Sequence, residues 1–271
     1  MTPEQELKIV DEARNGATGR VLATKYNVSP STISNVFRRH SFKPPTGRRP
    51  TCELDHGAFE DVTPESTYWM GVLCTDGCVV DYQDGAPQII LDLAEKDRAH
   101  VEAFRSFLKS THAISTLTRK SGLIRGHAVD ERRSVAFRVR SVSLAEALAR
   151  RGVAGKSPLR APSDELANSL DFWRGCIDGD GTVRWTTDRA GYTYAAIMLC
   201  GHMPLLEKFQ AFLVRNGVVA NVTDTTSGIY QIRLLGSGAL TTIKLLYEND
   251  SVALVRKAVI AREIIQKHGK F

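Results

Sequence analysis

Two aspartates, Asp76 and Asp180, close two stretches of similar sequence. The first reads Tyr68-Trp69-Met70-Gly71-Val72-Leu73-Cys74-Thr75-Asp76-Gly77. The second reads Phe172-Trp173-Arg174-Gly175-Cys176-Ile177-Asp178-Gly179-Asp180-Gly181. Trp69 and Trp173, Gly71 and Gly175, Asp76 and Asp180, and Gly77 and Gly181 all stand 104 residues apart. Four matched positions at one spacing point to a duplicated unit. Each stretch is apolar for two turns and stops at Asp-Gly, the pattern of a buried helix with glycine in the left-handed position beyond it. An acid there faces the negative end of the helix dipole, which is unfavourable without a compensating cation. Gly71 and Gly175 cost helix stability but permit close backbone approach. If the two helices pack through them, the terminal carboxylates lie close together. Two adjacent carboxylates suit a hard divalent cation that also binds phosphate oxygens, the arrangement of metal-assisted phosphodiester hydrolysis.

These two stretches resemble the paired motifs of a single-chain LAGLIDADG homing endonuclease. The ordinary alternative is two buried helices with glycine caps. The resemblance covers about residues 63–269 and implies an α+β fold of two pseudo-symmetric αββαββα halves, their antiparallel sheets forming a saddle over double-stranded DNA. It also implies Mg²⁺ or Mn²⁺ as cofactor. By position the metal set is Asp76, Asp180, Gly77 and Gly181, with Gly71 and Gly175 at the helix interface. Asp178 reads as structural, because Cys74 holds its place in the first stretch. Lys156 and Lys257, each after the last helix of a half, are the nominated basic residues of the catalytic site. Strand faces implied to contact the major groove carry Gln88, Arg138, Arg140, Arg184, Thr186, Gln231 and Arg233.

The elements that must position these groups repeat. After the first motif, Cys78–Tyr82 and Gln88–Leu93 read as a hairpin around Asp84-Gly85. Asp97–Ser110 is a helix burying Val101, Phe104, Phe107 and Leu108. Ala113–Lys120 and Ser134–Ser141 form a second hairpin with a long polar loop, and Leu144–Val153 is a helix. After the second motif, Thr182–Thr187 with Tyr192–Cys200, the helix Pro204–Asn216, Asn221–Thr226 with Ile229–Leu235, and the helix Ala239–Tyr247 repeat the order. Ser251–Lys267 is a final helix.

The chain carries 36 Lys/Arg against 30 Asp/Glu, net +6. The excess sits early: residues 1–50 hold nine Lys/Arg and four Asp/Glu. That suggests a polyanion partner for the N-terminus. Residues 3–15 read as a helix with Leu7, Ile9, Val10 and Ala13 inward. Residues 18–37 resemble a helix-turn-helix, with Asn27 in the turn, Ser29 as N-cap and Val28, Ile33 and Val36 in the core. Ser31, Thr32, Ser34 and Asn35 are placed to read base edges, and Arg38, Arg39, Lys43, Arg48 and Arg49 to hold phosphates. The domains expected are 1–40 (helix-turn-helix), 41–62 (Pro/basic linker), 63–160 and 161–271 (the two halves).

Five cysteines without a C-x-x-C pair argue against a disulfide framework or zinc site. The sequence shows no signal peptide or membrane span. The reading is a soluble cytoplasmic protein of a bacterium or its phage, monomeric by internal duplication, making a metal-dependent double-strand break. The start at Met1 and the ending Gly-Lys-Phe point to an intron-encoded or free-standing enzyme rather than an intein. Two other readings stand: a non-cleaving transcription regulator, which typically lacks the acids, and an RNA maturase acting on intron RNA.

Overall fold

The computed structural model describes residues 1–14, 17–43, 52–82, 85–119, 121–124, 127–129, 131–155, 160–226, 228–249 and 251–268. The chain divides into two compact units, Met1–Thr51 and Cys52–Phe271.

In the first unit, α1 (Pro3–Arg14), α2 (Gly19–Lys25) and α3 (Pro30–Arg39) pack around Ile9, Val10, Ala13, Leu22, Ala23, Ile33, Val36 and Phe37. Leu7, expected inside, is 60% exposed because Ile9, Val10 and Ala13 already define the buried stripe. Asn27 has φ +51°. The Val28 N–H reaches Ala23 O and the Asn27 N–H reaches Thr24 O, so α2 ends in a Schellman turn. The Ser29 side chain caps the start of α3 by accepting from Thr32 N–H, with Pro30 at the first helical position.

The second unit begins earlier than expected. Residues 52–62, read as linker, pack onto its core: Phe59 is fully buried, 5.4 Å from the Phe107 ring, and Asp55 N–H donates to Leu108 O. A composition rich in acidic residues hid this single aromatic anchor. The first half then runs α4 (Pro64–Thr75), β1 (Gly77–Tyr82), β2 (Gly85–Ala94), a 3₁₀ turn (Glu95–Asp97), α5 (Arg98–Phe107), β3 (Ser115–Arg119), β6 (Arg132–Arg140) and α6 (Val142–Arg150). The expected long loop between β3 and β6 holds a two-stranded ribbon, β4 (Gly122–Ile124) with β5 (His127–Val129). After a short helix α7 (Asp164–Ala167), the second half runs α8 (Leu170–Asp180), β7 (Gly181–Thr187), β8 (Thr193–Gly201), α9 (Met203–Arg215), β9 (Val222–Thr226), β10 (Ile229–Leu235) and α10 (Gly236–Tyr247), followed by α11 (Val255–His268).

The two halves build the same sheet. The strand orders are β1-β2-β6-β3 and β7-β8-β10-β9, every pair antiparallel. One face of each sheet is apolar: Ile89, Leu91, Val135, Phe137 and Val139 in the first, Val183, Ala195, Ile197, Leu199, Ile232 and Leu234 in the second, all buried in one continuous core. That core also encloses α4 and α8. α4, nearly apolar all round, is satisfied only by such burial, whereas α8 brings Arg174 and Asp178 into the core with hydrogen-bond partners of their own.

Candidate active site at the paired helix ends

α4 and α8 start from firm caps. Thr63 and Ser66 form a reciprocal capping box before α4, and Ser169 accepts from Phe172 N–H before α8. Each helix is then fixed to its own half by a tryptophan. Trp69 packs 5.1 Å from Phe104, and Trp173 packs 4.8 Å from Phe209. The helices meet at their glycines. A Cβ on Gly71 would lie 2.1 Å from Phe172 O, and one on Gly175 would lie 2.2 Å from Tyr68 O. The contact is therefore backbone against backbone.

This closeness brings the acids side by side. Asp76 caps α4, and a Cβ on Gly179 would come within 3.4 Å of Asp76 Oδ2. Asp180, the last residue of α8, keeps more of its surface open than half-buried Asp76. Among the described residues no hydrogen bond or ion pair reaches either carboxylate. Burial, followed by the charge of Asp180, pushes the Asp76 carboxyl up to about 6. Burial also raises Asp180, against the opposing charges of Lys257 and Arg160. Two neighbouring acids, short of hydrogen bonds and costly to ionise, form a donor set that suits a divalent cation. Among the described residues no cluster of three or more His, Cys, Asp or Glu side chains forms a more conventional cage.

Asp178 does different work. Its carboxylate accepts from Tyr68 OH (2.7 Å), Tyr247 OH (2.7 Å) and Leu254 N–H (2.6 Å) at 3% exposure. Tyr68 belongs to α4 and Tyr247 to α10, so Asp178 joins the halves. A few residues on, Arg256 grips Asp97 of the first half through both carboxylate oxygens.

The expected left-handed glycines are a correction. Neither Gly77 nor Gly181 has positive φ. The chain passes directly from helix to strand, Gly77 pairing with Leu91 and Gly181 with Leu199. Glycine is required for space: a Cβ would lie 2.5 Å from Leu73 Cα or 2.6 Å from Ile177 Cα. Their carbonyls each accept a hydrogen bond, Gly77 O from Arg160 and Gly181 O from Lys257. Lys257, nominated as a catalytic base, is 4% exposed and donates to the carbonyls of Ile177, Asp178, Gly179 and Gly181. Burial lowers its pKa to about 8. Lys156 lies outside the described residues. The side chain that meets the end of α4 is Arg160, which the sequence reading missed; its spacing from Lys257 breaks the 104-residue register, leaving no signal to find it.

Strand register places the polar candidates. Gln88 pairs with Arg140 and Ile90 with Arg138, so Gln88, Arg138 and Arg140 share the face opposite the core. Arg184 pairs with Ala196, Arg233 with Met198 and Gln231 with Cys200, which puts Arg184, Thr186, Gln231 and Arg233 together on the corresponding face. Arg140, Arg184 and Arg233 are exposed, whereas Arg138 leans on Ser115 Oγ and Asp92.

No family model and no curated protein matches the sequence. Solved structures do. The homing endonuclease I-WcaI, bound to its DNA recognition sequence, is similar with a TM-score of 0.54 at 11% identity, over 79% of this chain and 95% of that one. The chain has the homing-endonuclease fold. The LAGLIDADG meganuclease I-AabMI, bound to uncleaved DNA, gives a TM-score of 0.48 at 13% identity over 77% and 91%. The LAGLIDADG homing endonuclease I-GzeII, in complex with its DNA target, gives 0.47 at 11% over 78% and 94%. The paired glycine helices and the two matching sheets are the homing-endonuclease fold as this chain builds it.

The N-terminal unit shows its own polar surface. Ser31, Ser34, Asn35, Arg38, Arg39 and Lys43 are exposed and Thr32 is half-buried. Arg38 donates to Asn35 Oδ1, and Arg39 pairs with Glu6 of α1. Arg48 and Arg49 lie outside the described residues. Among the described residues no helix is long and apolar enough to cross a membrane.

Proposed function

We propose that the protein is a site-specific endonuclease that hydrolyses both strands of double-stranded DNA with a divalent metal. The observation that carries this reading is the pair Asp76 and Asp180, adjacent at the ends of glycine-paired helices and lacking protein counter-ions in hydrogen-bond contact. These two carboxylates would hold Mg²⁺ or Mn²⁺. Such a metal supplies charge stabilisation on phosphoryl oxygens and a bound water of lowered pKa. The chain's own groups do the rest. Asp178, Tyr68 and Tyr247 lock α4 to α8, so that the two acids keep one separation. The open sheet faces present Gln88, Arg138, Arg140, Arg184, Thr186, Gln231 and Arg233 to DNA, where arginines hold phosphates or guanines and Gln suits adenine. The internal duplication makes a monomer sufficient.

The N-terminal unit, in this reading, is a helix-turn-helix that presents Ser31, Thr32, Ser34 and Asn35 to a second DNA segment. Tethering it to the nuclease raises the effective concentration of each for its site. Cleavage of a randomised duplex library in Mg²⁺ tests the proposal. A defined double-strand cut supports it. Sequence-selective binding without cutting in either metal would instead make the protein a regulator, and binding restricted to structured intron RNA would make it a maturase.

A further inference from the structure

Lys257, nominated from the sequence as a basic residue of the catalytic site, and Arg160, which was not, are buried cations beside the acids. The hydrogen bonds give them another task. Lys257 Nζ donates to Ile177 O (2.7 Å), Asp178 O (2.8 Å), Gly179 O (3.1 Å) and Gly181 O (2.7 Å). A lysine ammonium has three protons, and these four carbonyls use all of them. In this arrangement nothing is left to donate to a phosphate. Arg160 does the same at the other helix: Nη1 donates to Leu73 O (3.4 Å) and Cys74 O (2.7 Å), Nη2 to Gly77 O (3.2 Å), and Nε to Gly155 O (3.2 Å).

The acceptors correspond. Leu73, Cys74 and Gly77 match Ile177, Asp178 and Gly181 at the 104-residue spacing of the duplication. The donors do not correspond in sequence or in type, since one is Arg and the other Lys at a different spacing. Two different cations arriving by different chain paths at the same carbonyls indicate a demand set by the site itself. The last carbonyls of a helix lack partners, and a cation there both satisfies them and opposes the dipole. Both cations are buried, Arg160 at 6% and Lys257 at 4% exposure, so neither is a casual surface contact.

We propose that Arg160 and Lys257 are positioning residues, each fixing the final turn of one motif helix and so aiming the carboxylate that follows, Asp76 for Arg160 and Asp180 for Lys257. The proposal rests on the endonuclease reading for its effect on cleavage, but the pinning itself does not depend on it. Because each cation grips one helix end, the loosening on its loss falls on one half of the site, although the charge of Lys257 also reaches Asp76 and that of Arg160 also reaches Asp180. Replacing Lys257 by Met leaves Asp180 on an unpinned turn and Asp76 in place, and Arg160→Met does the reverse.

Two measurements on the full chain test this. The first is hydrogen exchange by mass spectrometry. Lys257→Met speeds exchange across residues 177–183 and leaves 73–79 near wild type; Arg160→Met gives the opposite pattern. The second is strand-resolved cleavage of the duplex that the wild type cuts. Each Met variant slows one strand by roughly 10–100-fold, the scale for loss of a group that orients a metal ligand, and accumulates a nick. The two variants spare opposite strands. Lys257→Arg and Arg160→Lys, which retain charge and donors, recover both strands and control for misfolding of the Met variants. Equal slowing of both strands, or equal loosening of both helix ends, would overturn the proposal and leave the two cations as general stabilisers. A wild-type protein that binds DNA without cutting would defeat the endonuclease reading, and the exchange pattern alone would then decide the pinning.

Discussion

The Asp76 carboxylate lies against Gly179, the residue that precedes Asp180. The two helix ends are therefore interleaved, and each acid ionises in the presence of the other. A site of this kind destabilises the metal-free protein. Asp76 has a folded pKa of about 6 against 3.8 for the free side chain. Between those values the folded state binds more protons than the unfolded state, so stability falls as pH rises through that window and the full penalty remains above it. At pH 7.5 the metal-free Asp76→Asn variant is expected to be more stable than wild type by about 1–3 kcal/mol. Mg²⁺ should raise the melting temperature of the wild type and not that of the variant. Thermal unfolding at pH 5 and 7.5, with and without Mg²⁺, measures both effects; a variant less stable than wild type without metal would refute this view of the site.

The glycine contact admits no side chain. Gly71→Ala would place a methyl 2.1 Å from Phe172 O, on backbone that cannot swing aside. The helices must separate, at a cost of about 1–3 kcal/mol or more from overpacking. Urea unfolding should show this loss for Gly71→Ala and Gly175→Ala alike. A neutral alanine at either position would mean that the helices are not in backbone contact.

Asp178 is expected to act on stability first and on cleavage only through it. Asp178→Ala removes the acceptor shared by Tyr68 OH, Tyr247 OH and Leu254 N–H; Tyr68 OH keeps His100 Nε2 at 3.0 Å, whereas the Leu254 N–H loses its acceptor in the core. Each buried group left unsatisfied costs about 1–3 kcal/mol. The double variant Tyr68→Phe/Tyr247→Phe leaves the buried Asp178 carboxylate with only the Leu254 N–H of these three donors, so in urea unfolding it should lose at least as much stability as Asp178→Ala; a neutral double variant would refute the bridging role.

On the sheets, Arg140, Arg184 and Arg233 stand on the face away from the core. Alanine at a phosphate-contacting arginine should weaken binding to all sequences and lower the slope of log K against log salt by about 1; alanine at a base-reading arginine should instead relax specificity at one position. Binding isotherms at several salt concentrations sort the three. Unchanged affinity and specificity in all three variants would move the DNA interface elsewhere.

Much of the fold was legible because it rests on period and punctuation. The twofold appearance of Trp-x-Gly and Asp-Gly disclosed the duplication, and alternation in Val135-Ala136-Phe137-Arg138-Val139 marked which side of β6 meets the core. Other features lacked a local signal. Phe59 is one aromatic in a polar segment, and its burial is a tertiary event. Gly77 and Gly181 look like left-handed caps in sequence, yet their role is clearance beneath a strand that folds directly back on its helix. Lys257 was visible as a basic residue near the site, but the convergence of four carbonyls on its ammonium is a property of three dimensions. Arg160 was hidden altogether, since the chain reaches the same point by a path of different length.

The most direct test of the central claim is strand-resolved cleavage by wild type, Asp76→Asn, Asp180→Asn and the double variant in Mg²⁺. The account predicts a defined double-strand cut by wild type, at most a nick by either single variant, and a loss of at least roughly 10²-fold in the double variant, the scale of one lost transition-state charge stabiliser. Undiminished cutting of both strands by the double variant would contradict it.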